Sequence, residues 1–503
     1  MSEQGIVYLV GAGPGDPKLL TVRALELIRS AQVVAHDELV SPEILSLVPP
    51  DAELLAVGRR HGQGTTDYRL HPLVFERARA GRVVVRLKCG DPLIFGRGAE
   101  EAEDLAEAGI PFEIVPGVSA ALGAAAYAGI PLTDRRHASR VTLTTGHRAE
   151  TGGHAHETVV LYMAAHRLKE NIERLLSEGY KPSTPAAYIA AATTPRQLVI
   201  IDTLAQLADR IEAVQRFDPA LVIVGEVARL RERIGWFEKA PLHGRCVMVA
   251  RARPGPSRIA ARLRAMGALV LERPKVSFED TASSCTLARS LRRKDRYDAI
   301  VFACSVGAEA ALRSLRSIDS PASSAIEIPA IAVGRGAADA LEKNGIPYFL
   351  QLDGACREAI AKAAPTFAGK RLLLVVSTQG RPALKAEFEA AGASVEEVPA
   401  YRPLYEYAPQ LGTPPELIVL PSSSAARLLL EGEDGKSLAA FPMIAIGPAT
   451  EAAARNLGAI NLKRCPADSI DSVVAEVIES LAGPAPALQD GNQPTRERAN
   501  GNK

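Results

Sequence analysis

The amino-acid sequence predicts an α/β protein in which mostly parallel sheets are covered by helices. Two observations lead to this prediction. Short β-branched runs alternate with stretches of helical length along almost the whole chain, and several runs end in glycine-rich loops. Strand–helix alternation is typical of parallel sheets, because parallel strands need long crossover connections. Ligands bind at the carboxyl ends of the strands in such sheets, so the loops there are the first place to look for function.

Ten apolar runs are predicted as buried strands: Ile6–Val10, Gln32–Ala35, Val83–Leu87, Val141–Thr145, Val159–Met163, Leu221–Val224, Cys246–Ala250, Ala299–Ala303, Leu372–Val376 and Leu417–Leu420. Helices are predicted between them, for example at Leu20–Ser30, Ala99–Ala108 and Arg258–Met266. The uncharged stretch Pro116–Thr133 lacks the bulky side chains of a membrane span. We interpret it as a helix of small residues packed close to another element.

Composition and charge exclude several classes of protein. The 503 residues are 47% hydrophobic and 23% charged, which is ordinary for a globular protein. The net charge of +1 gives no overall positive field for nucleic acid or an anionic membrane. The N-terminus shows no targeting segment. We therefore expect a cytoplasmic protein that binds neither nucleic acid nor membrane.

The six cysteines show no C-x-x-C pair and no metal-ligand spacing: Cys89, Cys246, Cys285, Cys304, Cys356 and Cys465. This spacing favours free thiols in a reducing compartment over disulfides or a zinc site. His154-Ala155-His156-Glu157 resembles a metal cluster in composition, but no further ligand stands nearby in the sequence. We interpret it as a solvated loop and expect no metal.

A change of pattern near residue 240 divides the chain into two parts. Pro241–Gly244 has the composition of a connection, and Arg245–Ala250 begins a new strand. This predicts one domain at 1–240, a second at 244–481 and a disordered tail at 482–503. The second part repeats itself, because a strand runs into small polar residues at both Ile300–Ser305 and Ile418–Ser424. Two similar α/β lobes facing each other explain the repeat.

Three glycine-rich loops follow strands in the first part of the chain. They are Gly11–Pro17, Lys88–Gly98 and Val115–Ala120. Glycine lets the backbone approach a ligand closely. The first loop has Asp16 where the dinucleotide fingerprint requires glycine, and its prolines remove N–H groups that a pyrophosphate would use. We therefore do not expect it to bind NAD.

These loops, with Asp37–Ser41 and Gly129–Thr133, carry a family resemblance. Residues 5–237 resemble the uroporphyrinogen-III C-methyltransferases of the tetrapyrrole methylase family. The resemblance implies a two-lobed, homodimeric enzyme that uses S-adenosylmethionine to methylate uroporphyrinogen III to precorrin-2, on the sirohaem or cobalamin route. It also implies the following cofactor-binding residues: Pro14, Cys89, Gly90, Asp91, Ile94, Ser119, Ala120, Met163 and Ala192.

Asp37 matches the proton acceptor of this family, and its own sequence context agrees with that role. Ser41 and Pro42 already supply a helix cap, so Asp37 is not needed as one. A carboxylate can accept the proton lost after a carbon attacks a methyl group. The implied substrate carries many carboxylates, and seven cations are candidates to bind them, each equally explained by a surface role: Arg59, Arg60, Arg86, Lys88, Arg97, Arg135 and Arg136.

Some positions depart from the family pattern. Arg59 stands where the family has a lysine read as a proton donor, and arginine is a poor acid. We keep Arg59 as a candidate catalytic residue on its position alone. Ala190-Ala191-Ala192 replaces a usual Glu-Asn-Gly, and Cys89 replaces a usual glycine. We expect activity, with an altered rate or substrate preference as an open alternative.

Residues 245–481 resemble uroporphyrinogen-III synthase, on Phe302–Ser305, Val398–Arg402 and Ile446–Thr450 among other pieces. The resemblance implies one lobe at about 244–275 plus 404–481 and another at about 278–400. It implies cyclisation of hydroxymethylbilane to uroporphyrinogen III without metal or cofactor. Tyr401 matches a cleft tyrosine and is equally explained as a packed hinge residue. The implied substrate contacts are Cys304, Ser422, Ser424 and Thr450, and helix capping explains the two serines equally well.

Together the resemblances predict a bifunctional enzyme in which the second half makes the substrate of the first. Fusion would raise the local concentration of the intermediate. Two alternatives remain. One half could be a degenerate tetrapyrrole-binding module, which the departures at Arg59 and Ala190–Ala192 motivate. The methylase could instead act on ribosomal RNA, although the net charge of +1 weighs against that substrate.

Overall fold

Four β-sheets organise the fold in this computed structural model. It describes residues 5–49, 51–58, 70–145, 156–164, 167–212, 219–252, 257–281, 284–291, 293, 295–316, 326, 328–352, 356–406, 414–432 and 434–483. The described residues divide into two compact units. The first lies within 1–247, 261–270 and 474–503, and the second within 248–260 and 271–473.

The first sheet is fully parallel, with the order β3-β2-β4-β1-β5. Its strands are β1 (Ile6–Gly11), β2 (Val33–His36), β3 (Glu53–Ala56), β4 (Val83–Lys88) and β5 (Phe112–Val115). Four helices connect them: α1 (Val22–Ser30), α2 (Pro42–Leu45), α3 (Pro72–Arg79) and α4 (Gly98–Glu107). Side chains on both faces of the central strands are buried, Leu9 on one and Val10 on the other. This explains why β4 is a continuous apolar run up to Arg86.

The second sheet is mixed, with the order β6-β7-β10-β8-β9. Its strands are β6 (Arg140–Thr145), β7 (Glu157–Tyr162), β8 (Pro185–Ala190), β9 (Leu198–Thr203) and β10 (Ala220–Val224). Only β6 and β7 are parallel, while β10 runs antiparallel to β7 and β8, and β8 to β9. This sheet therefore differs from the mostly parallel sheets that strand–helix alternation predicts. The short connection between β8 and β9 accounts for one antiparallel pair, because it leaves no room for a crossover helix.

The small-residue stretch forms helix α5 (Ala120–Ala128), as the sequence predicts. Ala121, Ala124 and Ala128 are buried against the second sheet, where Val160 lies in the same cluster. The helix ends at Gly129, whose φ of +66° is a left-handed cap that glycine adopts readily. The remaining helices of this part are α6 (Leu168–Ser177), α7 (Leu204–Glu212) and α8 (Arg231–Ile234).

The third sheet has the order β12-β11-β19-β20-β21, and the fourth has the order β13-β18-β17-β14-β15-β16. The strands of the third sheet are β11 (Cys246–Ala250), β12 (Leu269–Arg273), β19 (Leu417–Leu420), β20 (Met443–Ala445) and β21 (Leu462–Arg464). Those of the fourth are β13 (Lys275–Asp280), β14 (Ala299–Phe302), β15 (Ala330–Val333), β16 (Tyr348–Leu352), β17 (Arg371–Ser377) and β18 (Ser394–Glu406).

The long strand β18 pairs with two neighbours in the fourth sheet. The first part of β18 pairs with β17 in parallel, and its second part pairs antiparallel with β13, from Asp280 opposite Tyr401 to Lys275 opposite Glu406. The helices around these sheets are α9 (Arg258–Ala265), α10 (Ser284–Leu291), α11 (Ser305–Arg316), α12 (Arg335–Lys343), α13 (Cys356–Lys362), α14 (Ala364–Phe367), α15 (Pro382–Ala390), α16 (Ser423–Leu430), α17 (Gly435–Leu438), α18 (Pro448–Asn456) and α19 (Ile470–Ser480).

All ten predicted strands are present within two residues of their expected ends. Within the described ranges, no helix is long and apolar enough to cross a membrane.

Candidate functional site

The first glycine loop, residues 11–17, follows β1 and packs on helix α5. Gly13 has a φ of +70°, a left-handed conformation that glycine adopts without strain. A Cβ added at Gly123 in α5 would lie 2.4 Å from Cγ of Pro14. The Pro14 ring therefore packs directly on the helix backbone, and this contact fixes the height of the loop above α5.

Asp16 fixes the far end of the same loop. Its backbone N–H donates to Oγ1 of Thr193 at 3.1 Å, and its Oδ2 accepts a hydrogen bond from the Tyr127 hydroxyl at 2.7 Å. Burial raises the pKa of Tyr127, and the hydrogen bond to Asp16 raises it further, so the hydroxyl remains a donor. The residue that breaks the dinucleotide fingerprint is thus a structural anchor of the loop.

The second and third glycine loops meet the first at backbone distance. Gly13 and Gly90 exchange hydrogen bonds of 3.1 and 2.8 Å. A Cβ at Gly117 would lie 2.3 Å from the Gly90 carbonyl oxygen and 2.8 Å from Cα of Gly11. No side chain fits between these strand ends, so the three loops form one continuous surface of backbone.

Asp91 links the second loop to the third. Its Oδ2 accepts from the backbone N–H of Gly117 at 3.0 Å, and its Oδ1 accepts from the N–H of Leu93 at 2.8 Å. Both carboxylate oxygens are therefore engaged by backbone. Its neighbour Ile94 is 39% exposed and faces outward from the loop.

Tyr162, at the end of β7, caps the N-terminus of α5. Its hydroxyl lies 2.5 Å from Oγ of Ser119 and accepts from the N–H of Ala121 at 3.1 Å. Its ring stacks against Phe95 of the second loop, with 4.8 Å between centroids. Ser119 is buried, so its side chain serves this bond. Tyr162 thereby joins the two sheets of the first unit at the site.

Five residues around these loops have left-handed backbone conformations although they are not glycine. They are Phe95, Arg97, Met163, Ala191 and Thr193, with φ between 46° and 67°. Each such conformation costs on the order of 1 kcal/mol, and clusters of them mark functional sites. They follow β4, β7 and β8, so the strain is concentrated where three strand ends converge.

A buried cluster of charges lies beside the second loop. Asp37 follows β2, and its Oδ1 accepts from Nη2 of Arg86 at 2.5 Å. Nζ of Lys88 lies 3.8 Å from Oδ2 of Asp37. Both cations also contact Glu101 of α4, at 2.9 and 2.7 Å. Of these four side chains Asp37 is the most exposed, at 27%.

The Cys89 thiol lies between this charge cluster and the first loop. Burial and the charge of Asp37 raise the pKa of Cys89 to about 11. Its Sγ lies 4.0 Å from the Gly13 carbonyl oxygen. Cys89 is therefore a protonated, unreactive thiol near neutral pH.

In the second half, Tyr401 and Cys304 are brought together. The Tyr401 hydroxyl lies 3.3 Å from Sγ of Cys304, and the N–H of Gly307 donates to the same sulfur at 3.4 Å. The Tyr401 ring also makes an edge contact with Phe278, with 6.1 Å between centroids. The Tyr401 side chain thus lies at the carboxyl end of β14, where β18 pairs with β13.

Arg381 was not predicted from the sequence as a site residue, and it lies near Tyr401 and Cys304. Its Nη1 donates to the carbonyl oxygen of Ala303 at 2.8 Å, and its backbone N–H donates to Glu397 at 2.8 Å. The signal that could have found it is its position after β17, in the turn that contains Gly380 at a φ of +69°.

The predicted hydroxyl residues Ser422, Ser424 and Thr450 lie at the starts of two helices that follow strands of the third sheet. Ser422 follows β19 and caps α16, where its Oγ accepts from the N–H of Ala425 at 3.2 Å. Ser424 is exposed in the first turn of that helix. Thr450 is 4% exposed and lies in the first turn of α18, which follows β20. Helix capping thus accounts for the Ser422 side chain, and a substrate contact stays a prediction for all three.

Comparison with protein families agrees with this geometry. Residues 6–208 match the family model of tetrapyrrole (corrin/porphyrin) methylases. Residues 257–475 match that of uroporphyrinogen-III synthase. Each half of the chain thus matches one of these two families.

Similar curated proteins carry the name siroheme synthase. Siroheme synthase 2 of Aeromonas hydrophila subsp. hydrophila is 48% identical over 254 residues, which is 49% of this chain and 54% of that protein. Siroheme synthase 1 of Halorhodospira halophila is 49% identical over 245 residues, which is 46% of this chain and 50% of that protein. The chain thus spans about half the length of the curated relatives that it matches.

Among solved structures, the uroporphyrin-III C-methyl transferase of Thermus thermophilus, complexed with S-adenyl homocysteine, is 38% identical. It covers 44% of this chain and 93% of its own, with a TM-score of 0.38. A mutant uroporphyrinogen III synthase of Thermus thermophilus is 18% identical and covers 47% of this chain and 98% of its own, with a TM-score of 0.33.

The remaining predicted residues of the methylase half are placed as follows. Arg59 and Arg60 lie outside the described residues. Arg97 is exposed, with its Nε 4.0 Å from Glu100, and Arg136 is paired with Asp134 at 3.0 Å. Two expected cofactor contacts, Ala120 at the start of α5 and Ala192 just after β8, are half-buried.

Lys88 is buried, whereas a side chain that contacts the substrate is expected to be exposed. Its side chain is 3% exposed, and its ammonium donates to Glu101. It presents no exposed charge to a carboxylate in solution. The reason is its position at the end of the central strand β4, where helix α4 covers it.

The segment His154–Glu157, which we interpreted from the sequence as a solvated loop, falls partly outside the described residues, since the structure does not describe His154. Glu157 is buried, and its carboxylate accepts hydrogen bonds from the hydroxyls of Thr142 and Tyr180. In the part of the chain that the structure describes, no three potential ligands lie close enough together to hold a metal. The described cysteines Cys89, Cys246, Cys304 and Cys465 are free thiols.

Proposed function

We propose that the methylase half transfers methyl groups from S-adenosylmethionine to carbons of uroporphyrinogen III, and that the synthase half makes uroporphyrinogen III from hydroxymethylbilane. The match of each half to one of the two families supports this pairing. The names of the relatives favour the sirohaem route for the methylated product, precorrin-2.

One observation carries the methylase proposal: three loops of bare backbone converge beside the partly exposed carboxylate of Asp37. A Cβ on Gly11 or Gly117 would fill the space between the loops, so the surface is kept clear down to its backbone. Residues that would hold the cofactor there are Pro14, Gly90, Ile94, Ser119 and Met163. The bound cofactor supplies an electrophilic methyl group.

Asp37 is the residue placed to accept a proton. Arg86 and Lys88 hold its carboxylate from the buried side, while the exposed part remains open to a ligand. A ring carbon that attacks the methyl group of the cofactor becomes fully substituted and leaves the macrocycle positively charged. Loss of a proton from elsewhere on the macrocycle restores neutrality, and a fixed carboxylate can take that proton. Because Arg86 donates to Oδ1, the acceptor is oriented before the substrate binds.

The exposure of each cationic side chain in the methylase half indicates which role it can have. Arg97 and Arg135 are exposed and, with Arg59 and Arg60, remain candidates to bind substrate carboxylates. Arg86 and Lys88 are buried against carboxylates of the protein itself. We therefore assign Lys88 to positioning Asp37 instead of to substrate binding.

In the synthase half, we assign Tyr401 to the departure of water from hydroxymethylbilane. Its hydroxyl is near Sγ of Cys304, which orients it. Arg381 is the nearby cation for a substrate carboxylate. A reaction through a carbocation-like intermediate needs mainly positioning and backbone donors, so few reactive side chains are required.

Further expectations stay part of this proposal. They are a cytoplasmic location, a homodimer formed through the methylase half, and no nucleic-acid partner.

A coupled assay on the full chain tests the proposal. The protein is supplied with hydroxymethylbilane with and without S-adenosylmethionine, and products are followed by absorbance and mass. We expect methylated product from the wild type only with the cofactor. Asp37→Ala should lose methylation but still produce uroporphyrinogen III, which serves as the internal control for folding.

The other outcomes separate the alternatives. Uroporphyrinogen III without any methylated product from the wild type would contradict the methylase activity and favour a degenerate binding module. Methylation of ribosomal RNA, with none of the tetrapyrrole, would replace the substrate. Failure to form uroporphyrinogen III would contradict the synthase activity.

A further inference from the structure

Glu101 is a buried carboxylate to which no motif assigns a function. It lies in the first turn of α4, and its side chain is 10% exposed. Its Oε1 accepts from Nη2 of Arg86 at 2.9 Å and from Nζ of Lys88 at 2.7 Å. One oxygen atom therefore holds two cations from the same strand.

The same two cations contact Asp37 on their other side. Nη2 of Arg86 is shared between Asp37 and Glu101, and Lys88 lies 3.8 Å from Asp37. The side chains of Arg86 and Lys88 are only 5% and 3% exposed. Glu101 thus faces the proton acceptor across a layer of two buried cations.

The charges explain why this arrangement needs Glu101. Two buried cations require anionic partners, since burying an unpaired charge is costly. With Glu101 present, the four side chains carry two positive and two negative charges. Without it, Lys88 would turn to Asp37, which Arg86 already contacts, and the carboxylate would be drawn inward and bound closely by two cations at once.

We propose that Glu101 is a positioning residue for methyl transfer. It shares Nη2 of Arg86 with Asp37 and holds Lys88 at 3.8 Å from that carboxylate, so that Asp37 is oriented by Arg86 and yet remains free to accept the substrate proton. The other oxygen, Oε2, is buried without a partner, so the two cations meet at a single point instead of spreading over the carboxylate. This inference rests on the proposed function of Asp37.

A double-mutant cycle in the full chain tests this role. The variants are Glu101→Gln, Asp37→Asn and their combination, with Glu103→Gln as the control, because Glu103 is exposed on the same helix. The measurements are kcat and KM for methylation of uroporphyrinogen III and the Kd of S-adenosylmethionine by calorimetry. Production of uroporphyrinogen III by the synthase half checks that each protein is intact.

We expect Glu101→Gln to lower kcat by about 10- to 100-fold, with KM and the cofactor Kd within about threefold of the wild type. The loss should disappear in the Asp37→Asn background, because a residue that acts through Asp37 has nothing left to position. Glu103→Gln should match the wild type. If Glu101→Gln does not fold, Glu101→Asp keeps the charge, withdraws the oxygen by one methylene, and is judged by the same criteria.

Two results would overturn the inference. One is an equal loss of kcat on both backgrounds, or a loss of cofactor affinity that accounts for it, since either indicates a structural role. The other is an unchanged kcat in both Glu101 variants while Asp37→Asn retains only a small residual kcat; this would leave the proposed function standing. If Asp37→Asn methylates at the wild-type rate, the assignment of Asp37 fails, and with it the role of Glu101.

Discussion

Gly123 of helix α5 lies directly against Pro14 of the first glycine loop, because a Cβ added at Gly123 would lie 2.4 Å from Cγ and 2.8 Å from Cβ of the Pro14 ring. A proline ring cannot rotate away as a flexible side chain would. The glycine in an otherwise alanine-rich helix is therefore explained by the loop that rests on it.

Gly123→Ala separates this contact from helix propensity, because the two effects have opposite signs. Propensity alone predicts a gain of about 1 kcal/mol when alanine replaces glycine inside a helix. Overpacking against Pro14 predicts a loss of about 1–3 kcal/mol. We expect a net loss in the free energy of unfolding, together with at least tenfold weaker binding of S-adenosylmethionine by calorimetry.

The fluorescence of Trp236 measures the change in the free energy of unfolding of the Gly123→Ala protein. This residue is the only tryptophan of the chain and belongs to the first unit, so its fluorescence in a denaturant titration follows that unit. Ala126→Ser, at an exposed position of the same helix, is the control and should change neither property beyond the propensity difference. A stabilised Gly123→Ala protein with normal cofactor affinity would contradict the contact.

Cys89 should resist alkylation near neutral pH. With a pKa raised to about 11, only about 0.1% of the thiol is ionised at pH 8, against roughly a quarter of an ordinary cysteine. Because the pKa is raised, the thiolate appears only as the pH climbs. The iodoacetamide reaction should therefore be about a hundredfold slower in native protein than in urea, and should accelerate about tenfold per pH unit between 8 and 10.

Mass spectrometry of the peptide that contains Cys89 gives this rate directly. Cys89→Ser, which lacks the thiol, shows which adduct belongs to this position. Rapid labelling of native protein at pH 7, at the rate found in urea, would contradict the raised pKa of the Cys89 thiol beside Asp37.

The sequence predicted ten strands, most of them central strands whose burial on both faces makes them continuous apolar runs, such as β4 and β19. It missed the central strand β8, which is buried at all six positions but contains three alanines. It did not identify edge strands such as β3, whose side chains alternate between half-buried and exposed. It also did not foresee that β10 runs antiparallel to β7 and β8, since pairing direction there depends on partners distant in the chain.

A site residue could be predicted from the sequence where its chemical type and its place in a loop after a strand are enough to indicate its role. The glycine loops and Asp37 are of this kind. Glu101 and Lys88 are not, because their roles depend on which buried charge each side chain meets across α4 and β4. Arg381 was missed for a similar reason: its contact with Ala303 joins residues far apart in the sequence.

Replacing Ala191 with glycine should stabilise the folded protein, although a substitution to glycine usually destabilises it. The φ of +46° at Ala191 lies in the left-handed region, where alanine is strained and glycine is not. We expect Ala191→Gly to raise the free energy of unfolding by about 1 kcal/mol, measured through Trp236 fluorescence. Ala192 is not among the described residues with positive φ, so Ala192→Gly should lower it by about 0.5–1 kcal/mol. Changes of the same sign in both variants would contradict the strained conformation.

Arg381→Ala should weaken the use of hydroxymethylbilane by the synthase half. A lost charge-assisted hydrogen bond costs about 1.5–3 kcal/mol, so we expect KM to rise by roughly 10-fold or more, while kcat changes less. The matched control is Arg296→Ala, since Arg296 precedes β14 at the opposite edge of the sheet and is paired with Glu396 at 2.8 Å. KM is measured from the rate of uroporphyrinogen III formation, and methylation of added uroporphyrinogen III checks the folding of the other half. A KM equal in both variants would contradict a substrate contact at Arg381, and a fall in kcat alone would place the residue in support of Tyr401 through Ala303 and Cys304.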